Sequence, residues 1–555
     1  MLCIIKSSID FMEATMARDS DLPWWQTGVI YQIYPRSFYD ANNDGIGDLA
    51  GITAKLDYLS DLGIDTLWLS PIYQSPMYDF GYDISDYRRI DPVFGDMDDF
   101  THLLKEAHAR GLRIIMDWVV NHTSHLHPWF QEARASRDNP KREWYIWQDD
   151  NHDRPPNNWK AAFGGNAWEW DEHTQQFYLH SFLVQQPDLN WRNHDLRRAV
   201  MDEMQYWLDL GVDGFRLDVV NFFIKDKRLR DNPLTIGHTP RPYDLQKHIF
   251  DRNRPETLDI VKALRQFTDR FEDRLLIGEV YTPPPGDAAL SSAYLGNGRD
   301  ALHLAFDFSL LYCRYGARSF RDAVECWYTA LPEQGWPCNV LSNHDQARSF
   351  SRYGAGNDAT PRAKVLAAML LTLKGTPFLY YGEEIGLADG KIKKSDLQDP
   401  LGKHYWPWHK GRDRARTPMQ WSAQPHAGFS KSKPWLPVNP DFMQVNVAAQ
   451  TDDPDSMLNF YKNLIALRRD KTALQMGDWT YINNDASAMA YYRATDNSRL
   501  AVWLNFSRRT RTQTVLNPDR WEVIFGTHKK AGSVLQGFDF DLAPYEVAIF
   551  EQLKT

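Results

Sequence analysis

Cysteine is scarce in this chain: 555 residues contain four, Cys3, Cys313, Cys326 and Cys338. Their separation excludes a metal-ligand spacing, and four thiols cannot staple a chain this long, so they read as reduced thiols of a cytoplasmic protein. Positive charge is also in deficit. Asp and Glu outnumber Lys and Arg by 73 to 63, and a net charge of −10 argues against a nucleic-acid partner or an anionic membrane surface. No stretch approaches the ~20 consecutive apolar residues of a membrane span. The opening segment has only the apolar cluster MLCII before Lys6, too short for a signal peptide. Met16 is an alternative start, and residues 1–20 are set aside from the fold reasoning.

What is present is a globular composition, 43% hydrophobic and 25% charged, long enough for a large core with one or two smaller domains. Eight short apolar runs recur: GVIYQIYPRSF, DTLWLSP, LRIIMDWVVNH, GFRLDVV, LLIGEVY, LHLAFDF, NVLSNHD and TPFLYYGEEIG. Between them lie helical patterns such as DDFTHLLKEAHARG, with Phe100, Leu103, Leu104 and Ala107 at helical spacing and Gly111 as a stop. Alternating strand and helix with near-continuous apolar strands predicts an α/β fold, a closed parallel (β/α)8 TIM barrel, over residues 20–121 and 188–475. An open doubly wound sheet is the alternative. The long stretch from the third strand to the fourth is rich in Pro, Asn, Gly and Trp, and predicts a small inserted domain at 122–187. Alternating runs AMAYYRA, LAVWLNFS and YEVAIFEQ predict a C-terminal antiparallel β-sandwich domain at 476–555.

In such a barrel the chemistry sits at the C-terminal ends of the strands. Those ends carry Asp117, Asn121 and His122 after strand three, Arg216 and Asp218 after strand four, Glu279 after strand five, and His344 and Asp345 after strand seven. Arg216 and Asp218 stand two residues apart and so share one face of their strand. Burying that pair is costly unless each charge has a partner. Taken singly, each residue also fits a helix cap, a satisfied core histidine or a structural ion pair.

In order and spacing, DWVVNH, GFRLDVVNF, GEVY and LSNHD resemble the four sequence regions of the α-amylase family of glycoside hydrolases. QPDLNW, beginning at Gln186, resembles a fifth region in the form typical of oligo-1,6-glucosidases and α-glucosidases, and the similarity runs from Trp24 over nearly the whole chain. The resemblance implies a retaining exo-α-glucosidase acting on small-molecule α-glucosides, with transglucosylation when acceptors are plentiful. It implies Asp218 as nucleophile, Glu279 as general acid/base and Asp345 as the third carboxylate. Arg216 is expected to lower the pKa of Asp218, and Glu279, with no such neighbour in sequence, to have a raised one. His122 and His344 match residues that bond sugar hydroxyls. Asp79 and Arg412 match the pair that holds the 4-hydroxyl of a terminal glucose, Tyr82 is expected to stack on the ring, and Phe163 and Phe182 are wall candidates. Val219, directly after the nucleophile, matches the residue whose identity goes with α-1,6 rather than α-1,4 preference. A sucrose isomerase or trehalose synthase shares the barrel, but Val219 and Val220 stand where sucrose isomerases tend to carry a charged motif. A non-catalytic member would lack these carboxylates. A monomer or homodimer is expected.

The stretch DANNDGIGD places Asp40, Asn42, Asp44 and Asp48 at alternate positions with Gly45 at the turn, like the first half of an EF-hand loop. With the Ile46 carbonyl, this oxygen set suits a structural Ca2+, with Mg2+ as a substitute; a bare Asn/Asp/Gly-rich turn is the other reading.

Overall fold

Each of the eight apolar runs contributes one strand to a single parallel sheet. In the computed structural model, which describes residues 22–553 except 150–153, 355, 483–484, 515–519 and 536–538, these are β1 (Ile30–Ile33), β2 (Thr66–Leu69), β3 (Arg113–Trp118), β4 (Gly214–Leu217), β5 (Leu275–Glu279), β6 (Leu304–Phe306), β7 (Cys338–Val340) and β8 (Thr376–Tyr380). Cys3 and Met16 lie outside the described residues. The strands pair in the order β6-β5-β4-β3-β2-β1-β8-β7. Between β6 and β7 the Cys338 thiol reaches the Ala305 carbonyl at 3.1 Å, which brings the two edges together. The barrel is nearly closed, with two buried faces, and that is why its strands read as continuous apolar runs.

The barrel interior is packed. Ile30, Trp68, Ile115, Ile277, Phe306 and Phe378 belong to one buried cluster, and a larger one lies under the surrounding helices. The helix Met97–Ala109 illustrates the second layer. Phe100, Leu103, Leu104 and Ala107 are its buried face, and Asp96 and Asp99 form a reciprocal capping box that satisfies its first N–H groups. Gly111, at φ +73°, ends the turn that follows.

After β3 the chain leaves the barrel. Trp147–Gln148, Trp168–Asp171 and Gln176–Leu179 form a three-stranded antiparallel sheet over a small core of Trp159, Trp168 and Phe177. After the helix Met457–Asp470, a six-stranded antiparallel sheet begins at Asp478. A two-stranded ribbon, Arg511–Thr514 with Asp539–Leu542, sets Phe540 against Trp503 and Phe550. Among the described residues no helix is long and apolar enough to cross a membrane.

Two buried arginines stand where the barrel meets this last domain, and of the two Arg493 bonds across the junction while Arg468 holds the barrel's final helices against it. Arg468 donates to the carbonyls of Leu371, Leu474 and Gly375 at 2.8–3.0 Å. Arg493 donates to those of Thr372 and Gly477. Arg468→Met fills the space but orphans buried acceptors at about 1–3 kcal/mol each. Thermal melts are expected to show Tm lowered by several degrees with KM unchanged; an unaltered Tm would mean that this junction does not depend on Arg468.

Candidate active site

The site is assembled on Arg216, which is 1% exposed. The ladder sets Asp117 of β3 and Ile277 of β5 opposite it. The strand period of two then brings Glu279, two residues past Ile277, to the same face. Below, the Trp68 ring lies 5.1 Å from the guanidinium and its indole N–H donates to Asp117 Oδ2 at 3.3 Å. Arg216 Nη1 donates to Asp117 Oδ1 and Asp218 Oδ1, both at 2.6 Å, and Nη2 donates to Glu279 Oε2 at 2.5 Å.

The expected rise at Glu279 is present although Arg216 bonds it too, whereas the expected lowering at Asp218 is not found. Burial is the larger influence on both. It pushes Glu279 up to about 8, against the pull of Arg216 and with the repulsion of Asp218 and Asp345. Burial also raises Asp218, to about 7, again outweighing Arg216, with Asp117 and Asp345 adding to the rise. Asp345 is held in the opposite sense. Burial opposes its ionisation, but His344, Arg412 and Arg416 hold its carboxyl well below the usual range. Arg416 Nη2 lies 2.7 Å from Asp345 Oδ1 and Arg412 Nη1 lies 3.4 Å from it.

A cavity of about 290 Å³ opens over these groups. Asp79, Tyr82, His122, Phe163, Phe182 and Val219 line it with Asp218, Glu279, Asp345 and Arg412. Arg412 Nη2 bonds Asp79 Oδ1 at 2.6 Å, its guanidinium lies 4.7 Å from the Phe163 ring, and Phe163 packs on Phe182. Gln186 donates to Asp79 Oδ2 and to the Tyr82 carbonyl at 3.3 and 3.1 Å. His122 is kept neutral at neutral pH, its pKa lowered to about 4 by burial.

His344, expected to bond the sugar, stands behind the wall instead, as does Arg216. Arg216 lies beneath the carboxylates. His344 is stacked on Tyr82 (5.3 Å, 4° between planes), with Nε2 against Tyr82 Oη and Nδ1 against Gln32 Nε2, both at 2.7 Å. The sequence reading missed Arg416 and also Asp399, which bonds Arg412 Nε and Nη2 at 2.9 and 2.7 Å. Arg416 sits within the quoted run GRDRARTPMQW, so its signal was at hand. His238, Thr239 and Arg241, also in the cavity wall, come from a connection with no periodicity to read.

The loop Asp40–Asp48 is folded on itself. Asp40 accepts from the amides of Asn43 and Gly45, Asp44 from Ile46, and Asp48 from Ala41, Asn42 and Gly51. Asn42 Oδ1 accepts from the Asp44 amide. The donors suit a hard cation, and each Asp40 oxygen keeps a lone pair beyond its one amide bond, whereas Asp48 Oδ2 already accepts two amides. Among the described residues, however, no three acidic, His or Cys side chains already form a metal-holding group.

Comparison with known proteins agrees with this architecture. The family model for the α-amylase catalytic domain matches residues 32–477. A probable α-glucosidase of Rhizobium meliloti (strain 1021) is 43% identical over 506 residues, 89% of this chain and 91% of that protein. An oligo-1,6-glucosidase of Heyndrickxia coagulans is 39% identical over 565 residues, 95% and 99% of the two chains. Among solved structures, the α-glucosyl transfer enzyme XgtA superposes with a TM-score of 0.90 at 41% identity, covering 96% of this chain and 100% of its own. The trehalulose synthase MutB of Pseudomonas mesoacidophila MX-45 gives 0.87 at 35%, with the same coverage. The match is continuous through barrel, insertion and C-terminal sheet, and the chain belongs to the α-amylase family of glycoside hydrolases.

Proposed function

We propose that the protein is a retaining exo-α-glucosidase that releases glucose from the non-reducing end of short α-glucosides. The observation that carries this is a small cavity closed at one end by the Asp79–Arg412 pair, with Asp218 and Glu279 held on one guanidinium. A shared fork favours the short separation, about 5–5.5 Å, at which one carboxylate attacks the anomeric carbon while the other protonates the leaving oxygen. Asp218 attacks as the anion and becomes a glucosyl ester. Glu279 gives its proton to the departing oxygen, then removes one from water or from an acceptor hydroxyl. Water completes hydrolysis; a sugar or alcohol completes transglucosylation. Asp345, held ionised, grips ring hydroxyls and faces the positive charge that develops in the transition state. Neutral His122 bonds hydroxyls, and Asp79 with Arg412 recognises the 4-hydroxyl of the terminal glucose. Product analysis on maltose, isomaltose, sucrose and trehalose tests the reading. Isomerised sucrose without free glucose would favour a trehalulose synthase-like activity instead.

Glu279 acts protonated and Asp218 ionised. kcat/KM is therefore expected to fall as pH rises through about 8, where Glu279 loses its proton, and to fall on the acid side through the raised pKa of Asp218. Glu279→Gln should remove the alkaline limb and cost roughly 10² to 10⁴ in rate on isomaltose, but much less on a nitrophenyl α-glucoside, whose leaving group needs little protonation. Equal losses on both substrates would refute the assignment.

Val219 borders the cavity with an apolar β-branched side chain, and preference for α-1,6 links is proposed. Val219→Thr changes a methyl into a hydroxyl at nearly constant shape, and should shift the isomaltose-to-maltose ratio of kcat/KM toward maltose by roughly tenfold. A wild type that cleaves maltose well and barely touches isomaltose would show that the surrounding loops set the linkage.

For the Asp40–Asp48 loop we propose a structural Ca2+, with Mg2+ able to replace it. An ion bound only to the folded state adds about 2.7 kcal/mol at a hundredfold excess over Kd. A chelator is then expected to lower Tm and added Ca2+ to restore it. If Asp44→Ala responds to chelator as the wild type does, the loop is a bare turn.

A further inference from the structure

Behind the cavity wall stands an arginine that the proposed chemistry does not use. Arg252 lies on the connection between β4 and β5 and is 3% exposed. Its Nε has no hydrogen-bond partner, and Nη1 donates to Tyr243 Oη at 3.1 Å. Neighbouring carboxylates in the sequence bond elsewhere, Asp251 with His248, Asp244 with Arg241 and Glu256 with Arg192. A buried cation without a bonded carboxylate is strongly unfavourable unless its surroundings compensate. Here the compensation is aromatic. The guanidinium lies 5.1 Å from the Phe222 ring, 5.0 Å from Tyr281 and 5.8 Å from Tyr243.

Two of those rings face the cavity on their other side. Phe222 and Tyr281 both line it and stand edge to face, 6.1 Å apart. Phe222 belongs to the turn that follows the nucleophile, and Tyr281 lies two residues past Glu279. The backbone of Tyr281 is held separately. Asn221 accepts from its N–H at 3.0 Å and donates to its carbonyl at 2.9 Å, while Asn253, next to Arg252, donates its backbone N–H to the Asn221 carbonyl at 2.8 Å. Asn221 therefore fixes where the chain runs, and Arg252 fixes where the rings face.

Glu279 marks the glycosidic oxygen, so the side of the cavity away from Asp79 and Arg412 receives the leaving group. We propose that Arg252 is a positioning residue that braces Phe222 and Tyr281 as the wall met by the second sugar. It thereby governs how well the enzyme accepts an aglycone on the donor or an incoming glucosyl acceptor. The inference rests on the α-glucosidase reading of the site and adds to it a determinant outside the cavity.

The test compares isomaltose with α-glucosyl fluoride, whose leaving group is too small to meet that wall. Arg252→Met is expected to lower kcat/KM on isomaltose about tenfold, chiefly through KM, with the fluoride changed less than about twofold. Arg252→Lys keeps the charge but not the planar fork, and should recover part of the loss. If Arg252→Met does not fold, as judged by its melt, Arg252→Lys carries the same comparison with a loss of about threefold on isomaltose alone. Equal losses on both substrates, or none on either, would overturn the role of Arg252. A wild type inert toward α-glucosyl fluoride would overturn the α-glucosidase reading, and this inference with it.

Discussion

One buried guanidinium bonded to three buried carboxylates is the constraint from which the rest of the site follows. Arg216 carries a single positive charge, and Asp117, Asp218 and Glu279 would carry three negative ones. In a low-dielectric interior that imbalance is not sustained, and protons stay on the acids that are least solvated by their surroundings. Asp117 accepts from Tyr82 Oη and the Trp68 indole as well as from Arg216. Glu279 has Nη2 and only a long 3.3 Å contact from the Val219 amide. Asp218 meets Nη1 alone, so donor number sets Asp117 apart from the other two but does not separate Glu279 from Asp218. Burial, with the repulsion of neighbouring carboxylates, raises Glu279 to about 8 and Asp218 to about 7, and the proton is held longer on Glu279.

The second charged cluster works in the opposite sense. Arg412 and Arg416 together face Asp79, Asp345 and Asp399. Two cations for three acids keep Asp345 ionised, and its side chain is 32% exposed against 6% for Glu279. The cavity thus has a protonated acid where the proposed reaction places the glycosidic oxygen and an anion where it places the sugar hydroxyls and the oxocarbenium charge. Fork geometry matters at both ends, because a point charge could not hold several carboxylates in fixed directions.

Much of this was legible in the sequence, for physical reasons. A strand buried on both faces must be apolar throughout, so all eight barrel strands appear as runs. The acids proposed for catalysis break those runs at their ends, where a charge in an apolar stretch is conspicuous. What could not be read is pairing across strands and between distant loops. Adjacency in sequence suggested that Arg216 serves Asp218 alone, whereas the ladder brings in Asp117 and Glu279 from the strands on either side. Asp399 is recognisable as a helix cap, accepting from the Gly402 amide, but not as the second holder of Arg412. His344 is of the right type at the right strand end. Only packing shows that it stands beneath Tyr82.

The turn after β4 joins these levels. Val219 adopts φ 37°, ψ 50°, a left-handed conformation that a β-branched residue enters only at a cost of roughly 1–3 kcal/mol. That conformation turns the chain sharply away from the strand, leaves Asp218 at the mouth of the barrel, and directs the Val219 amide toward Glu279 Oε2. The strained turn must fit against β5, and there the residue before Glu279 is Gly278. A Cβ on Gly278 would lie 2.9 Å from Val220 Cγ1 and 2.2 Å from Leu302 Cδ1. The short motif GE is therefore a packing statement as well as a chemical one. The glycine lets the strand bearing Glu279 pass close behind the turn that follows Asp218, and that closeness is what allows a single arginine to hold both.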